Sequence, residues 1–296
     1  MICDSHIHFI PHELSVYTAF YKGIWTDKDK LYSYLDKYNI EKALLCYPST
    51  DAHLKLEVFS RVCEIYNSHL EEIIKENPKI IGAAIVDIDN MATIADQVEH
   101  LKKQGFGAIS IASSHKGKFL VKELEPLFEA AQNNQMPVFV HPQTINPIGF
   151  ERVKDPLLMP VLEYSFDSSM FMGLLMMEGI LEKYDIKFIF SSLGGVIPFL
   201  KDRFDRVYQM LRSREIVRDL GKNPTQILKN VYVDTAGSSL ANIKLAIDLF
   251  GQEKLLWGSD YPVCGDVEDY FKILDELDDD IKEKITHKNF NSIFNA

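Results

Sequence analysis

Eight short apolar runs, most of them followed by a stretch of helical period, constrain this 296-residue chain more than any other feature. They lie at 2–8, 42–47, 80–86, 107–111, 137–141, 186–190, 231–234 and 254–258. A strand that is apolar on both faces must be covered on both, which is the condition of a parallel sheet flanked by helices. The intervening periodicity predicts helices over 27–38, 54–76, 93–104, 123–133, 170–184, 198–212 and 238–250, with closing helices at 267–277 and 281–294. Eight such units suit an α/β fold of the (β/α)8 barrel type, which takes about 250 residues. An open doubly wound sheet fits less well, because no G-x-G-x-x-G follows the first strand. No linker or change of composition interrupts the chain, so a single domain over 1–296 is expected. The least regular stretches, 9–26 and 143–169, follow the first and fifth strands, and in a barrel such loops form the catalytic face.

Charge and cysteine usage exclude several partners and compartments. Lys and Arg total 32 against 43 Asp and Glu, a formal charge of −11, with no basic block, so nucleic acid and anionic membrane are poor partners. The four cysteines show no C-x-x-C spacing in a chain too long to need disulfide staples, which reads as reduced and intracellular. No apolar run approaches the ~20 residues of a spanning helix, and no charged leader precedes an apolar run at the N-terminus. A cytoplasmic location is expected.

Chemistry concentrates at strand ends. In Asp4-Ser5-His6-Ile7-His8 the alternation of a strand places His6 and His8 on one face, where they form a chelating pair. Two solvent-facing histidines on a terminal strand are the plain alternative. His141 closes 138–141 just before Pro142, and Asp260 follows the eighth run two residues before Pro262. Backbone capping and turn chemistry could account for each alone. The first, fifth and eighth strands of a barrel end on one rim, so His6, His8, His141 and Asp260 can converge. Three imidazoles and a carboxylate suit one divalent metal ion per chain, zinc first, with iron and manganese also tolerated. Ser110, Ala112 and Ser113 at the end of the fourth strand offer no ligands for a second ion.

These motifs, in this order along essentially the whole chain, resemble the amidohydrolase-related family that includes aminocarboxymuconate-semialdehyde decarboxylase and γ-resorcylate decarboxylase. Further matches are Leu193-Gly194-Gly195-Val196-Ile197-Pro198 followed by Arg203, and Trp257-Gly258-Ser259-Asp260-Tyr261-Pro262. The resemblance implies a distorted TIM barrel with a mononuclear metal, usually zinc, on His6, His8, His141 and Asp260. It also implies that Arg203 reaches into a neighbouring subunit's site to bind a substrate carboxylate, and hence a homodimer. The residue-level alternative for Arg203 and Arg206 is a surface ion-pair stripe with the adjacent aspartates.

The chain departs from the family at Ser192, where the resemblance expects a histidine acting as base. A serine hydroxyl orients a water but takes up no proton near neutral pH. Asp260 could then serve as ligand and base together, or His12 or His115 could substitute from a loop, or turnover could be lost. Phe166 and His115 are expected to line the substrate pocket, and Asp167 to cap a helix. Trp25 and Tyr21 could form a lid over substrate or a hydrophobic anchor for their loop. The run Met170, Met172, Met176 and Met177 reads as core packing. His53, His69, His100 and His287 are assigned no chemistry.

The reading favoured by the residues is a metal-dependent hydrolase of a small carboxylate-bearing ester, lactone or amide, with Asp260 as proton shuttle and Ser192 orienting the water. Non-oxidative decarboxylation of an aromatic or dienoic acid is the alternative within enzymes. A catalytically impaired barrel that binds a small acid is the alternative outside them.

Overall fold

The computed structural model describes residues 1–16, 20–48, 58–263 and 267–294. Eight parallel strands, β1 (Ile2–His8), β2 (Ile40–Cys46), β3 (Ile80–Ala84), β4 (Ala108–Ala112), β5 (Val138–His141), β6 (Phe188–Phe190), β7 (Val231–Asp234) and β8 (Leu255–Leu256), follow one another in a single sheet in sequence order. Closure runs through the backbone beyond β8. Ser5 N–H donates to the Trp257 carbonyl at 2.8 Å, His8 N–H to the Tyr261 carbonyl at 2.7 Å, and the Asp260 N–H to the His6 carbonyl at 2.9 Å. The result is a nearly closed (β/α)8 barrel, as the alternation of runs predicts.

Strand alternation sorts the apolar side chains into two cores. Cys3, Leu44, Ala83, Ala108, Phe139, Ile189, Tyr232 and Leu256, one from each strand, share a cluster with Phe290 and Ile293 of the terminal helix Asn289–Phe294. Their neighbours of opposite parity, such as Ala43, Ala84, Ile109, Val138, Phe188, Val231 and Leu255, pack with the helices in the larger cluster. Each fully buried branched or aromatic side chain contributes about 1.5–3 kcal/mol, so the two cores fix the pleat of every strand. The Asn289 side chain adds a polar tie, its Nδ2 donating to the Gln252 and Leu255 carbonyls at 2.8 and 2.7 Å.

Most helices fall where the periodicity places them, among them Lys28–Lys37, Ile94–Lys103, Ile197–Arg212 and Leu240–Phe250. The helix expected over 54–76 is described from Phe59 to Glu76, its first part lying outside the described residues together with His53. Two expectations need correction. The helix expected over 170–184 starts earlier, at Tyr164 after a π-turn at Met159–Glu163, and stops at Met177, because Gly179 takes the left-handed conformation at φ 75° before a short helix at Ile180–Lys183. The terminal helix over 281–294 is broken into Asp279–Glu283, a π-turn at Lys284–Lys288 and Asn289–Phe294.

Candidate metal centre

The C-terminal ends of β1 and β5 and the turn after β8 bring four donor groups together. One ligand atom from each of His6, His8, His141 and Asp260 lies within 4.8 Å of all the others. Three of the four are buried, and the Asp260 side chain keeps 25% of its surface exposed towards solvent. His6 Nε2 and His8 Nε2 face each other at 3.0 Å, and Asp260 Oδ1 lies 3.1 Å from His8 Nε2 and 3.5 Å from His6 Nε2. Lone pairs aimed at one another across such distances repel unless a proton or a metal ion lies among them.

Each imidazole is steered by a partner on its other nitrogen. His8 Nδ1 pairs with the Cys46 carbonyl at 2.9 Å, His141 Nδ1 with the Pro142 carbonyl at 2.9 Å, and His6 Nδ1 approaches Asp234 Oδ2 obliquely at 2.9 Å. A proton on each Nδ1 leaves each Nε2 as a donor, the arrangement in which outer partners orient metal-binding histidines. The donor set therefore fits one divalent ion.

Ionisation supports this. Burial, reinforced by the neighbouring imidazoles, depresses His141 well below the ordinary imidazole value, and burial likewise lowers His8, so both are neutral ligands. For His6 burial pushes the same way, but the Asp234 and Asp260 charges outweigh it and lift its pKa to about 9. Burial tends to raise Asp260, yet the three imidazoles hold it below its ordinary value, so it is a carboxylate at neutral pH.

The rest of the opening motif serves these ligands. Asp4 is fully buried and its Oδ1 accepts the backbone N–H groups of His6 at 3.1 Å and Ser259 at 3.0 Å, while Oδ2 accepts the Tyr34 hydroxyl at 2.7 Å. It thus clamps β1 to the turn that carries Asp260. Burial dominates these donors and raises its pKa to about 6. Trp25 is buried and stacks on the His8 ring, centroids 5.9 Å apart at 19°, with Tyr21 edge-on against it at 4.6 Å. These contacts tie the loop after β1 to a ligand.

Other expected residues are placed less centrally. Ser192 stands exposed at the end of β6 in a left-handed conformation, φ 49°, and its N–H donates to Asp234 Oδ1 at 2.8 Å. His115 is turned to Asp89, Nε2 to Oδ1 at 3.1 Å, and packs on Phe59, so its imidazole is engaged away from the four ligands. His12 is exposed on a short helix, His12–Ser15, beside Ser15. Phe166 is 43% exposed on the outside of helix Tyr164–Met177. Met172 and Met176 are core, but Met170 is exposed, which corrects the reading of that run. Asp167 is no N-cap. It lies inside the first turn and is buried, and its carboxylate accepts the hydroxyls of Ser113 and Ser114 and the Ile148 N–H, tying the loops after β4 and β5 together.

Arg203 is exposed on helix Ile197–Arg212 and makes no ion pair among the described residues, and Arg206 donates only to the Asp202 carbonyl. The aspartates of that helix pair elsewhere, Asp202 with Lys201 and Asp205 with Thr225. The ion-pair stripe is therefore not formed.

The sequence reasoning missed Asp234. It closes Val231-Tyr232-Val233-Asp234 as His141 closes its own strand, so a polar residue ending an apolar run was the available signal.

A model of the amidohydrolase family matches residues 3–290. The chain is a member of the amidohydrolase family. Among curated relatives of this amidohydrolase, the 2-amino-3-carboxymuconate-6-semialdehyde decarboxylase of Dictyostelium discoideum is 23% identical over 206 residues, which are 68% of this chain and 56% of the relative. The match therefore spans little more than half of that relative. Among solved structures, a 5-carboxyvanillate decarboxylase from Novosphingobium aromaticivorans, complexed with manganese and 4-hydroxy-3-methoxy-5-nitrobenzoic acid, superposes with a TM-score of 0.86 at 20% identity, covering 100% of this chain and 96% of its own. A dihydroxybenzoic acid decarboxylase from Polaromonas sp. JS666, with manganese and 2-nitroresorcinol, gives 0.81 at 18% identity and coverages of 100% and 97%. At these identities the structural likeness speaks for the fold alone. Among the described residues no helix is long and apolar enough to cross a membrane.

Proposed function

We propose that this amidohydrolase is a metal-dependent carboxy-lyase that removes carbon dioxide from a small aromatic acid without oxidation. The observation that carries the reading is the convergence of His6, His8, His141 and Asp260 within 4.8 Å at the barrel mouth. Several similar proteins are decarboxylases, and two of these were solved with manganese, which supports decarboxylation over hydrolysis and leaves manganese beside zinc as the ion. A divalent ion held by the four residues would supply Lewis-acid binding of a substrate carboxylate or hydroxyl oxygen.

The chain's own residues do the rest. Asp234 and the Cys46 and Pro142 carbonyls hold the three rings, and Trp25 covers His8 and excludes water from its back. In the reaction the bond from the ring carbon to the carboxylate breaks, its electron pair stays on the ring carbon as carbon dioxide leaves, and that carbon takes a proton drawn from solvent. Asp260, the one ligand open to the mouth, passes that proton; its depressed pKa makes it a relay and not a store. Ser192 stands on the open face and orients a water by hydrogen bonding.

The amidohydrolase acts as a homodimer in this reading. Helices Tyr164–Met177 and Ile197–Arg212 adjoin, Phe204 lying against Gly173, and they and the segment before them expose Leu157, Val161, Phe166, Met170, Phe199 and Met210. Apolar exposure on this scale marks an association face. Arg203, exposed on the same helix and without an ion pair among the described residues, would offer its planar fork to a carboxylate in the partner's site.

One observation favours the hydrolytic reading: the turn after β6 carries Ser192, which cannot donate a proton as a histidine would. A panel of hydroxybenzoates and related aromatic acids, against esters, lactones and amides of similar size, tests the choice. Carbon dioxide release that disappears in His141→Ala supports the carboxy-lyase, whereas turnover confined to esters, lactones or amides refutes it.

A further inference from the structure

We propose that Asp234 is the positioning residue of the centre: one carboxylate oxygen sets the His6 ring and the other holds the end of β6, so a single group fixes both a ligand and the seat of Ser192. The inference rests on reading His6, His8, His141 and Asp260 as a metal centre.

The carboxylate sits at the tip of β7, fully buried, between the two segments it serves. Oδ2 lies 2.9 Å from His6 Nδ1 at an oblique angle, a charge contact outside hydrogen-bond geometry. Oδ1 accepts the N–H of Ser192 at 2.8 Å and that of Ala236 at 3.0 Å. The first bond matters because Ser192 and Leu193 both hold positive φ, 49° and 58°, a conformation costing L-residues roughly 1–2 kcal/mol each. The seat is cut to fit. A Cβ at Gly258 would stand 2.9 Å from Asp234 Cβ and 3.0 Å from His6 Cβ, so only glycine lets the carboxylate and the imidazole meet there. The other two rings lean on backbone carbonyls at Nδ1, so among the described residues Asp234 is the side chain that faces the Nδ1 of a ligand imidazole.

Asp234→Asn separates the two roles. The amide oxygen still accepts from Ser192 and Ala236, but the group now facing His6 is an N–H donor. It can pair only with a bare Nδ1, which moves the ring proton to Nε2, the atom the ion needs. We expect manganese or zinc affinity, measured on the full chain by competition with a chelator, to fall 10- to 100-fold in Asp234→Asn. The hydrogen-exchange protection of the Ser192 amide should stay near wild type. Asp234→Ala should lose both affinity and protection, and Gly258→Ala should lower affinity by forcing Asp234 from His6. A merely structural Asp234 would move the protection of the Ser192 amide in Asp234→Asn, not affinity alone. Asp234→Asn binding the ion within twofold of wild type would overturn the proposal while leaving the metal centre standing. Absence of ion uptake by the wild type would overturn both.

Discussion

Trp25 lies flat on the ring of His8, 19° from parallel and 5.9 Å between centroids, so a loop that follows the first strand is bound to a ligand that ends it. The Trp25 carbonyl also accepts the Ile10 N–H at 2.8 Å. Trp25→Ala removes both the cover and a buried indole. A stability loss of about 3–5 kcal/mol is expected from the cavity, with weaker ion retention as water reaches His8, while Trp25→Phe keeps most of both. Thermal denaturation of the metal-loaded protein, followed by dialysis against chelator, checks this.

Ion uptake should depend on pH with a sign set by His6. Its pKa in the metal-free fold is about 9, above its ordinary 6.5, so below pH 9 an entering ion must displace a proton. Apparent affinity should then rise about tenfold per pH unit from 7 towards 9 and level off beyond it. The same shift acts on stability. A raised histidine pKa stabilises the fold fully below 6.5, and that contribution is lost as pH rises through 9. Asp4, at about 6, has finished titrating below this window. The melting temperature of the metal-free protein should therefore fall between pH 7 and 9, and calorimetry at pH 7, 8 and 9 measures the slope.

Ser192→His restores an imidazole at the mouth. On the carboxy-lyase reading it should raise turnover of an accepted aromatic acid by about 10²- to 10⁴-fold, the usual contribution of a positioned acid or base. Steady-state kinetics on both proteins decides it, and an unchanged or lower rate would show that Asp260 already carries the proton.

Phe199→Glu places a charge on the most exposed ring of the apolar face, 78% open in the single chain. Sedimentation should show a dimer for the wild type and a monomer for the variant. Arg203→Ala should leave the dimer intact but raise KM for a carboxylate substrate, since it removes a carboxylate contact and little apolar surface.

Much of this architecture was legible because it rests on periodicity. Eight apolar runs give eight strands, and the rule that parallel strands end on one rim is enough to gather His6, His8, His141 and Asp260 from positions 254 residues apart at the extremes. What escaped depends on tertiary surroundings. Asp167 looks like a cap from its place near a helix start, yet its hydroxyl partners come from a loop more than 50 residues earlier. His115 follows a strand end, as a site residue would, but Asp89 captures it. The stacking of Trp25 on His8 joins a loop to a ligand in a way no local pattern announces. The early start of helix Tyr164–Met177 was hidden because its first residues include Ser165, Asp167, Ser168 and Ser169, and the last three are buried, so polarity there does not mark the solvent face of a helix.

The most direct test of the whole account is elemental analysis of the purified protein beside His141→Ala prepared identically. About one divalent transition metal per chain, lost in the variant while its fold persists by circular dichroism, is the predicted result. A wild type that holds no ion even after reconstitution with manganese and zinc would contradict the centre on which the proposed chemistry depends.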